Sequence, residues 1–393
     1  MHPVRNFSGG PGALPKAVLR AAQEAVAEMP GTGISVLGLS HRSHLFRDIV
    51  DEAEARLRRL IALPPNYRVL FVQGGGTLQF SMIPMAMLPP GQTANYVVGG
   101  YWSAKAADAA RHHGHVRIVW DGSIHGFERL PAADENLGDP EAAYTHYVSN
   151  ETVEGLQFRW VPRTPEPRVC DASSDFLSKP FDATPMSLVY AHAQKNIGPA
   201  GVTIVVVRDE VLERIPAGLA PVLDYAAHAR AKSLLHTPPV FAIYVVLLSL
   251  RWIEDDVGGL EAVGRITAEK AQIVREALKA SHPFYRSAVR AGFESDMNVT
   301  FRCPTAEIDA RFVDRAKLAG LVGTEGHRSR GGIRISLYNG VTLDDARAAA
   351  AFLNEFAHDH LKKAPSVSQS SLPAAFKSMR VTARSTRRTG EAR

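Results

Sequence analysis

Lys195 is the residue of this chain with the plainest chemical use. It stands in Ala193-Gln194-Lys195-Asn196-Ile197-Gly198-Pro199-Ala200-Gly201, a tight turn between two short apolar runs that read as strands. A lysine partly withdrawn from water has a lowered pKa, and its neutral amine can form a Schiff base with an aldehyde. Alone this is a weak signal, because most lysines in turns are solvated surface groups. Asp171, in Val169-Cys170-Asp171-Ala172-Ser173-Ser174, strengthens it. It ends another short apolar run, where a carboxylate can pair with a protonated pyridine nitrogen and keep that ring an electron sink. The ordinary alternative is an Asx-turn or a helix cap.

Gly74-Gly75-Gly76-Thr77 lies between an expected strand and an expected helix. Glycines let the backbone approach an anion, and free N–H groups at a helix start point at it. Such turns are common, so the motif is suggestive only in company. Two His-Arg pairs, His41-Arg42 and His327-Arg328, and the nearby Arg334 supply forks suited to carboxylates and phosphates. Solvated loop charges are the bland reading of each. Arg330 is a further charge in the same stretch, without an evident use.

These residues need a frame that gathers loops. Short apolar runs at Tyr67 to Gln73, Asn95 to Gly99, Val116 to Trp120, Tyr144 to Ser149, Arg168 to Asp171, Leu188 to His192 and Val202 to Arg208 read as strands. Helical patterns fall at Pro15 to Glu28, Leu45 to Leu60, Thr77 to Leu88 (bent at Pro84) and Ser103 to Arg111. This alternation implies a mixed, mostly parallel sheet whose carboxyl-end loops form one cleft. Beyond Gly259 a long helix, Leu260 to Ala280, precedes strands near Ser295 to Arg302 and Gly332 to Leu337. Helices at Ile308 to Ala319 and Leu343 to Lys362 complete a smaller α+β unit. The expected division is an N-terminal arm over 1–15 associated with the small domain, a large domain over 16–259, a small domain over 260–362 and a basic, disordered tail over 363–393.

The chain has 393 residues and a net charge of +5. Residues 362–393 hold eight Lys or Arg against one acid, so they carry +7 and the remainder carries −2. The basic balance belongs to the tail, which weakens a nucleic-acid role for the body. Val240 to Leu250 is too short to cross a bilayer and reads as a buried helix. No secretory signal is evident at the N-terminus, and two cysteines are too few for a disulfide framework. No metal-ligand spacing occurs, and a reducing cytoplasm is the expected setting.

The segments AQKNIGPAG, SNETVEG, GGYW, GHRSRGGIR and NFSGGPGALP resemble the phosphoserine aminotransferases. The likeness runs from about Asn6 to about Lys362. That family belongs to the class V, fold-type I pyridoxal phosphate enzymes. The resemblance implies the aspartate-aminotransferase-like fold, pyridoxal 5'-phosphate as cofactor and a homodimer whose active site is shared between subunits. It implies amino transfer between glutamate and 3-phosphohydroxypyruvate in serine biosynthesis, with a step of pyridoxine biosynthesis, on 4-phosphohydroxythreonine, as a second use of the same site. Lys195 would carry the cofactor and shuttle the proton. Asp171 would hold its ring nitrogen, Trp102 would stack on the ring and Thr152 would bond its phenolic oxygen. Gly76, Thr77 and Gln194 would bind its phosphate, joined by His236 and Thr237 from the partner subunit. Arg334 would take the substrate's α-carboxylate, with His41, Arg42, His327 and Arg328 around its phosphate or second carboxylate. Two departures stand out: Thr77, where relatives carry a basic or small residue, and His236 in place of asparagine.

Other readings are open at this point. A cysteine desulfurase would use Cys303 as a mobile nucleophile and a histidine on the ring. An alanine–glyoxylate type aminotransferase has no need of two His-Arg pairs. A catalytically silent binding protein would make the tail the working part.

Overall fold

Apolar runs of four to seven residues become seven strands of one sheet: Tyr67–Val72 (β1), Thr93–Val98 (β2), His115–Asp121 (β3), Thr145–Val148 (β4), Arg168–Asp171 (β5), Leu188–His192 (β6) and Thr203–Arg208 (β7). The computed structural model describes residues 3–165 and 167–363. The expected tail therefore lies, apart from Lys363, outside the described residues. Strand order is β1-β7-β6-β5-β4-β2-β3. β7 runs antiparallel to both of its neighbours, and the other pairings are parallel. Six strands thus point the same way, and the loops after them leave at one edge.

Most strand residues are buried, as expected of a sheet covered on both faces. Helix Val240–Arg251, whose residues Ala242 to Leu250 are all buried, packs with helices Lys16–Ala27 (α1) and His44–Leu60 (α2) on one side. Each large side chain so buried contributes about 1.5–3 kcal/mol. Among the described residues no helix is long and apolar enough to cross a membrane. At the β1 edge, Phe71 N–H donates to Ser233 Oγ at 2.9 Å, so that edge is capped by the chain itself.

A second hydrophobic core forms from Phe284, Tyr285, Phe301, Phe312, Leu353 and Phe356. It lies between helices Leu260–Ala280, Ala306–Leu318 and Leu343–Lys363 and the antiparallel pair Asn298–Phe301 and Ile333–Ser336. Phe7 joins this core, and Arg5–Asn6 pairs in parallel with Leu321–Val322. The amino terminus is therefore part of the C-terminal unit's structure.

Differences from the sequence expectations are local. The helix expected from Thr77 begins at Gly75 (Gly75–Met87, α3) and continues through Pro84. Gly74, with φ of +90°, makes the entry, so the glycines form the first turn rather than preceding it. The helix expected at Ser103 begins at Tyr101 (Tyr101–Ala110, α4), which places Trp102 on the helix. Strands of the second unit are shorter than expected, at Asn298–Phe301 and Ile333–Ser336. Short helices at Asp209–Glu213 and Tyr225–Arg230 were not anticipated.

Candidate active site

Lys195 lies three residues beyond β6 and is buried. Its Nζ donates to Thr152 Oγ1 at 2.7 Å and to Ser174 Oγ at 2.8 Å. Burial lowers its pKa from 10.5 to about 8, opposed first by the negative charge of Asp171. A neutral amine is thus accessible near neutral pH, which is what attack on a carbonyl requires. Asp171 ends β5 and is buried as well, which raises its carboxyl above the usual range, while the charge of Lys195 opposes the rise. Its Oδ1 accepts from Ser173 N–H at 2.9 Å, and the Tyr190 hydroxyl also bonds it. Behind it, Tyr190 Oη meets His146 Nε2 at 2.9 Å.

Both residues line a cavity of about 300 Å³ with Gly9, Gly10, Trp102, Gln194 and the turn 74–77. That volume is at the small end for small-molecule sites. The amine stands 5.6 Å from the centroid of the Trp102 ring, which gives the cavity a flat aromatic wall. At its far end α3 offers the N–H groups of Gly75, Gly76 and Thr77, which have no intrahelical acceptor and no side-chain cap. A Cβ on Gly76 would come within 3.1 Å of His192 Cδ2, and the bare backbone keeps the cradle open. An aldehyde-bearing pyridine phosphate fits this set: amine, buried carboxylate, flat wall and anion cradle, all lining one cavity. A larger cleft of about 920 Å³ lies elsewhere, and several of its charges are paired with one another, as in Arg58–Glu54 and Arg68–Asp209.

Arg334 approaches the cavity from the second unit. Its guanidinium packs on Gly9, where a Cβ would lie 2.3 Å from Cζ, while a Cβ on neighbouring Gly10 would lie 3.4 Å from Lys195 Cγ. The Arg334 Nε is buried without an acceptor, and the residue has no ion-pair partner among the described residues. A half-buried guanidinium left open in this way is suited to an incoming carboxylate. His327 packs at a tilt against Tyr101, with ring centroids 4.7 Å apart, so its loop reaches the start of α4. Arg328 on that loop is exposed.

The other expected residues are placed differently. Thr152 and Gln194 meet the site, the first through Lys195 and the second as cavity wall. His41 and Arg42 sit in the turn before α2 and do not line the cavity. His236 and Thr237 do not line it either. Gln73 Nε2 donates to the Thr237 carbonyl at 3.2 Å, which sets that segment beside the glycine turn's outer side. Cys303 is buried and its thiol is pushed up by burial and by Asp309, so it cannot serve as a mobile thiolate nucleophile.

Sequence reasoning missed the supports. Buried Glu151 accepts from Trp102 N–H at 3.1 Å and Ser103 N–H at 2.9 Å, and Glu154 accepts from Tyr101 N–H at 3.2 Å. Their oxygens accept from N–H groups of the helix's first turn, which lack intrahelical acceptors, and so hold the turn that carries Trp102. Ser174 shares the amine of Lys195. Asn196 Oδ1 accepts from Asn339 N–H at 2.9 Å, tying the lysine turn to the second unit. Lys270 donates to the carbonyls of Leu337, Tyr338 and Val341 at 2.9, 2.9 and 3.0 Å and fixes that loop. The acidic pair in SNETVEG was the available signal for Glu151 and Glu154.

Known proteins match this arrangement. The family profile Aminotransferase class-V covers residues 4–348. The phosphoserine aminotransferase of Laribacter hongkongensis is 45% identical over 357 residues, 91% of this chain and 99% of that protein. That of Geobacillus kaustophilus is 44% identical over 351 residues, 89% of this chain and 97% of that protein. The solved phosphoserine aminotransferase of Bacillus circulans subsp. alkalophilus superposes with a TM-score of 0.88 at 42% identity, covering 90% of this chain and 98% of that one. Another, studied for radiation damage to its Schiff base, gives 0.87 at 38% identity, covering 91% and 99%. With the amine, carboxylate and cradle in place, the chain belongs to the phosphoserine aminotransferase family of class V aminotransferases, and is a pyridoxal-phosphate-dependent transferase.

Proposed function

We propose that the chain moves the amino group of glutamate onto 3-phosphohydroxypyruvate, reversibly, giving O-phospho-L-serine and 2-oxoglutarate for serine biosynthesis. The observation that carries this is Arg334, a half-buried guanidinium without an ion-pair partner among the described residues, beside the amine of Lys195. Bound pyridoxal phosphate supplies the aldehyde carbon and the electron sink. Asp171 would hold a proton on the ring nitrogen, and Trp102 would give the ring a flat wall. The first turn of α3 with Gln194 holds the phosphate. Lys195 would hold the cofactor through its amine, and the neutral Nζ would serve as the base that takes the proton from the substrate's Cα and the acid that gives it back. Thr152 and Ser174 aim its Nζ. Arg334 takes the α-carboxylate, and His327 and Arg328 the phosphate.

Glutamate-dependent amination of phosphorylated and unphosphorylated keto acids tests the reading. The phosphorylated acid is expected to win by at least about 10²-fold in kcat/KM, since charge-assisted bonds contribute about 1.5–3 kcal/mol each. Arg334→Gln is expected to lower kcat/KM on every acid by about 10²–10³-fold, the cost of a lost buried charge pair. Equal turnover of glyoxylate or pyruvate would favour an alanine–glyoxylate type enzyme instead. The 4-phosphohydroxythreonine pair belongs in the same panel.

The division into a large domain to residue 259 and a small one from 260 is part of this proposal, supported by the separate second core. So is a homodimer in which His41, Arg42, His236 and Thr237 of one copy complete the partner's site, since in their own chain they stand outside the cavity. Support comes from an apolar surface. Leu19 and Val26 are exposed one above the other on α1, and Ile34 and Leu37 are exposed in the segment bonded back to it through Ser35 Oγ and the Val26 carbonyl. Light scattering is expected to give twice 42.7 kDa, and the single-chain mass in active enzyme would exclude sharing. Two buried free cysteines fit the cytoplasmic setting.

A further inference from the structure

Arg330 lies on the loop that carries His327 and Arg328, yet it turns away from the cavity of Lys195. Its Nη1 donates to Glu154 Oε1 at 3.3 Å, and its Nη2 donates to the Gly126 carbonyl at 3.2 Å. The guanidinium lies 5.4 Å from the centroid of the Phe127 ring. All three partners belong to the sheet unit, whereas Arg330 belongs to the unit with the second core. The Glu154 side chain is 3% exposed and that of Arg330 33%. A pair with one end so buried is not a solvated surface contact, and removing the cation would strand a buried carboxylate.

Each end of the pair is fastened to something functional. Glu154 Oε2 accepts from Tyr101 N–H, and Glu151 holds the next two N–H groups, so Glu154 grips the turn bearing Trp102. On the other side the Arg330 and Gly331 N–H groups close onto the His327 carbonyl at 2.9 and 2.8 Å. The Arg330 carbonyl is held by Arg302. The loop 327–331 is therefore one closed turn, and moving the Arg330 side chain moves His327 and Arg328 with it. The Tyr101–His327 ring contact is a second stitch along the same seam.

We propose that Arg330 is a positioning residue for substrate selection: through Glu154 it bolts the His327-Arg328 turn to the helix start that carries Trp102. It sets the distance between the substrate-phosphate groups and the cofactor ring without touching substrate. This rests on the proposed use of His327 and Arg328 for the substrate phosphate.

The test is a double-mutant cycle on cofactor-loaded enzyme, with Arg330→Met, Glu154→Gln, both together, and Arg330→Lys. Arg330→Met is expected to raise KM for the phosphorylated keto acid about tenfold, with kcat within about threefold. It should also change the visible circular dichroism of the bound cofactor before any substrate is added. Arg330→Lys recovers part of both effects, because an ammonium keeps the charge but loses the second contact. In the double variant KM stays within about twofold of Arg330→Met. Penalties that multiply, with an unchanged dichroism band, would mean that Arg330 meets substrate itself, and wild-type values in Arg330→Met would mean that the bolt does nothing. Either result overturns the proposal. Wild-type enzyme that fails to prefer phosphorylated acids would sink the functional reading instead, and the substrate-free dichroism still reports on the bolt.

Discussion

Replacing Lys195 with alanine is expected to leave a protein that binds pyridoxal phosphate and turns over about 10⁴-fold more slowly, the upper end of the loss for a removed acid–base group. Binding survives because the cradle at α3, Asp171 and the Trp102 wall do not depend on the amine. Equilibrium dialysis and a glutamate half-reaction separate the two properties, and near-normal turnover would remove Lys195 from the mechanism. The wild-type amine has a pH signature as well. Its pKa is lowered to about 8, so the neutral, nucleophilic form dominates above that pH. Recombination of cofactor-free protein with pyridoxal phosphate, followed by the growing visible band, should accelerate up to about pH 8 and then level. Acceleration continuing toward 10.5 would mark a solvated lysine.

Asp171→Asn is the second large effect. The change keeps the volume but removes the charge that, in the proposed role, would hold a proton on the ring nitrogen, and a loss of about 10²–10³-fold in kcat is expected for one such electrostatic contact. A linked shift distinguishes this from general damage. Asp171 is the foremost group sustaining the charge of Lys195, so its removal lowers the amine's pKa further. The levelling point in the recombination experiment should therefore move below pH 8. A variant with reduced kcat and an unmoved levelling point would place Asp171 outside electrostatic reach of the amine.

How much of this was legible in the sequence depended on whether a residue's role was local. Lys195 and Asp171 sit at the ends of apolar strands, and β-branched runs flanked by turn residues mark such ends directly. The frame followed from the same runs, and each of the seven strands was recognisable. The start of α3 was not, because consecutive glycines read as a turn, yet here their unhindered backbone forms the helix's first turn. Glu151 and Glu154 were passed over for a different reason: a buried acid and a surface acid look alike in a sequence, and only the fold reveals which N–H groups they face. Lys270 is harder still. Its three carbonyl partners lie 67 to 71 residues away, and nothing near it announces that its ammonium is buried. The placement of His41 and Arg42 outside the cavity of their own chain is likewise a fact of tertiary structure that the His-Arg spacing does not encode.

The pairing of Arg5–Asn6 with Leu321–Val322 has a consequence for biosynthesis. A ribosome adding about 5–20 residues per second needs about 15–60 s to travel from one partner to the other. Until then Phe7 has no hydrophobic core to enter, and Gly9 has no arginine to lie against. The first segment to leave the exit tunnel is thus among the last to find its place. A nascent chain stalled before residue 321 can complete its central sheet while the guanidinium that lies against Gly9 has yet to be made.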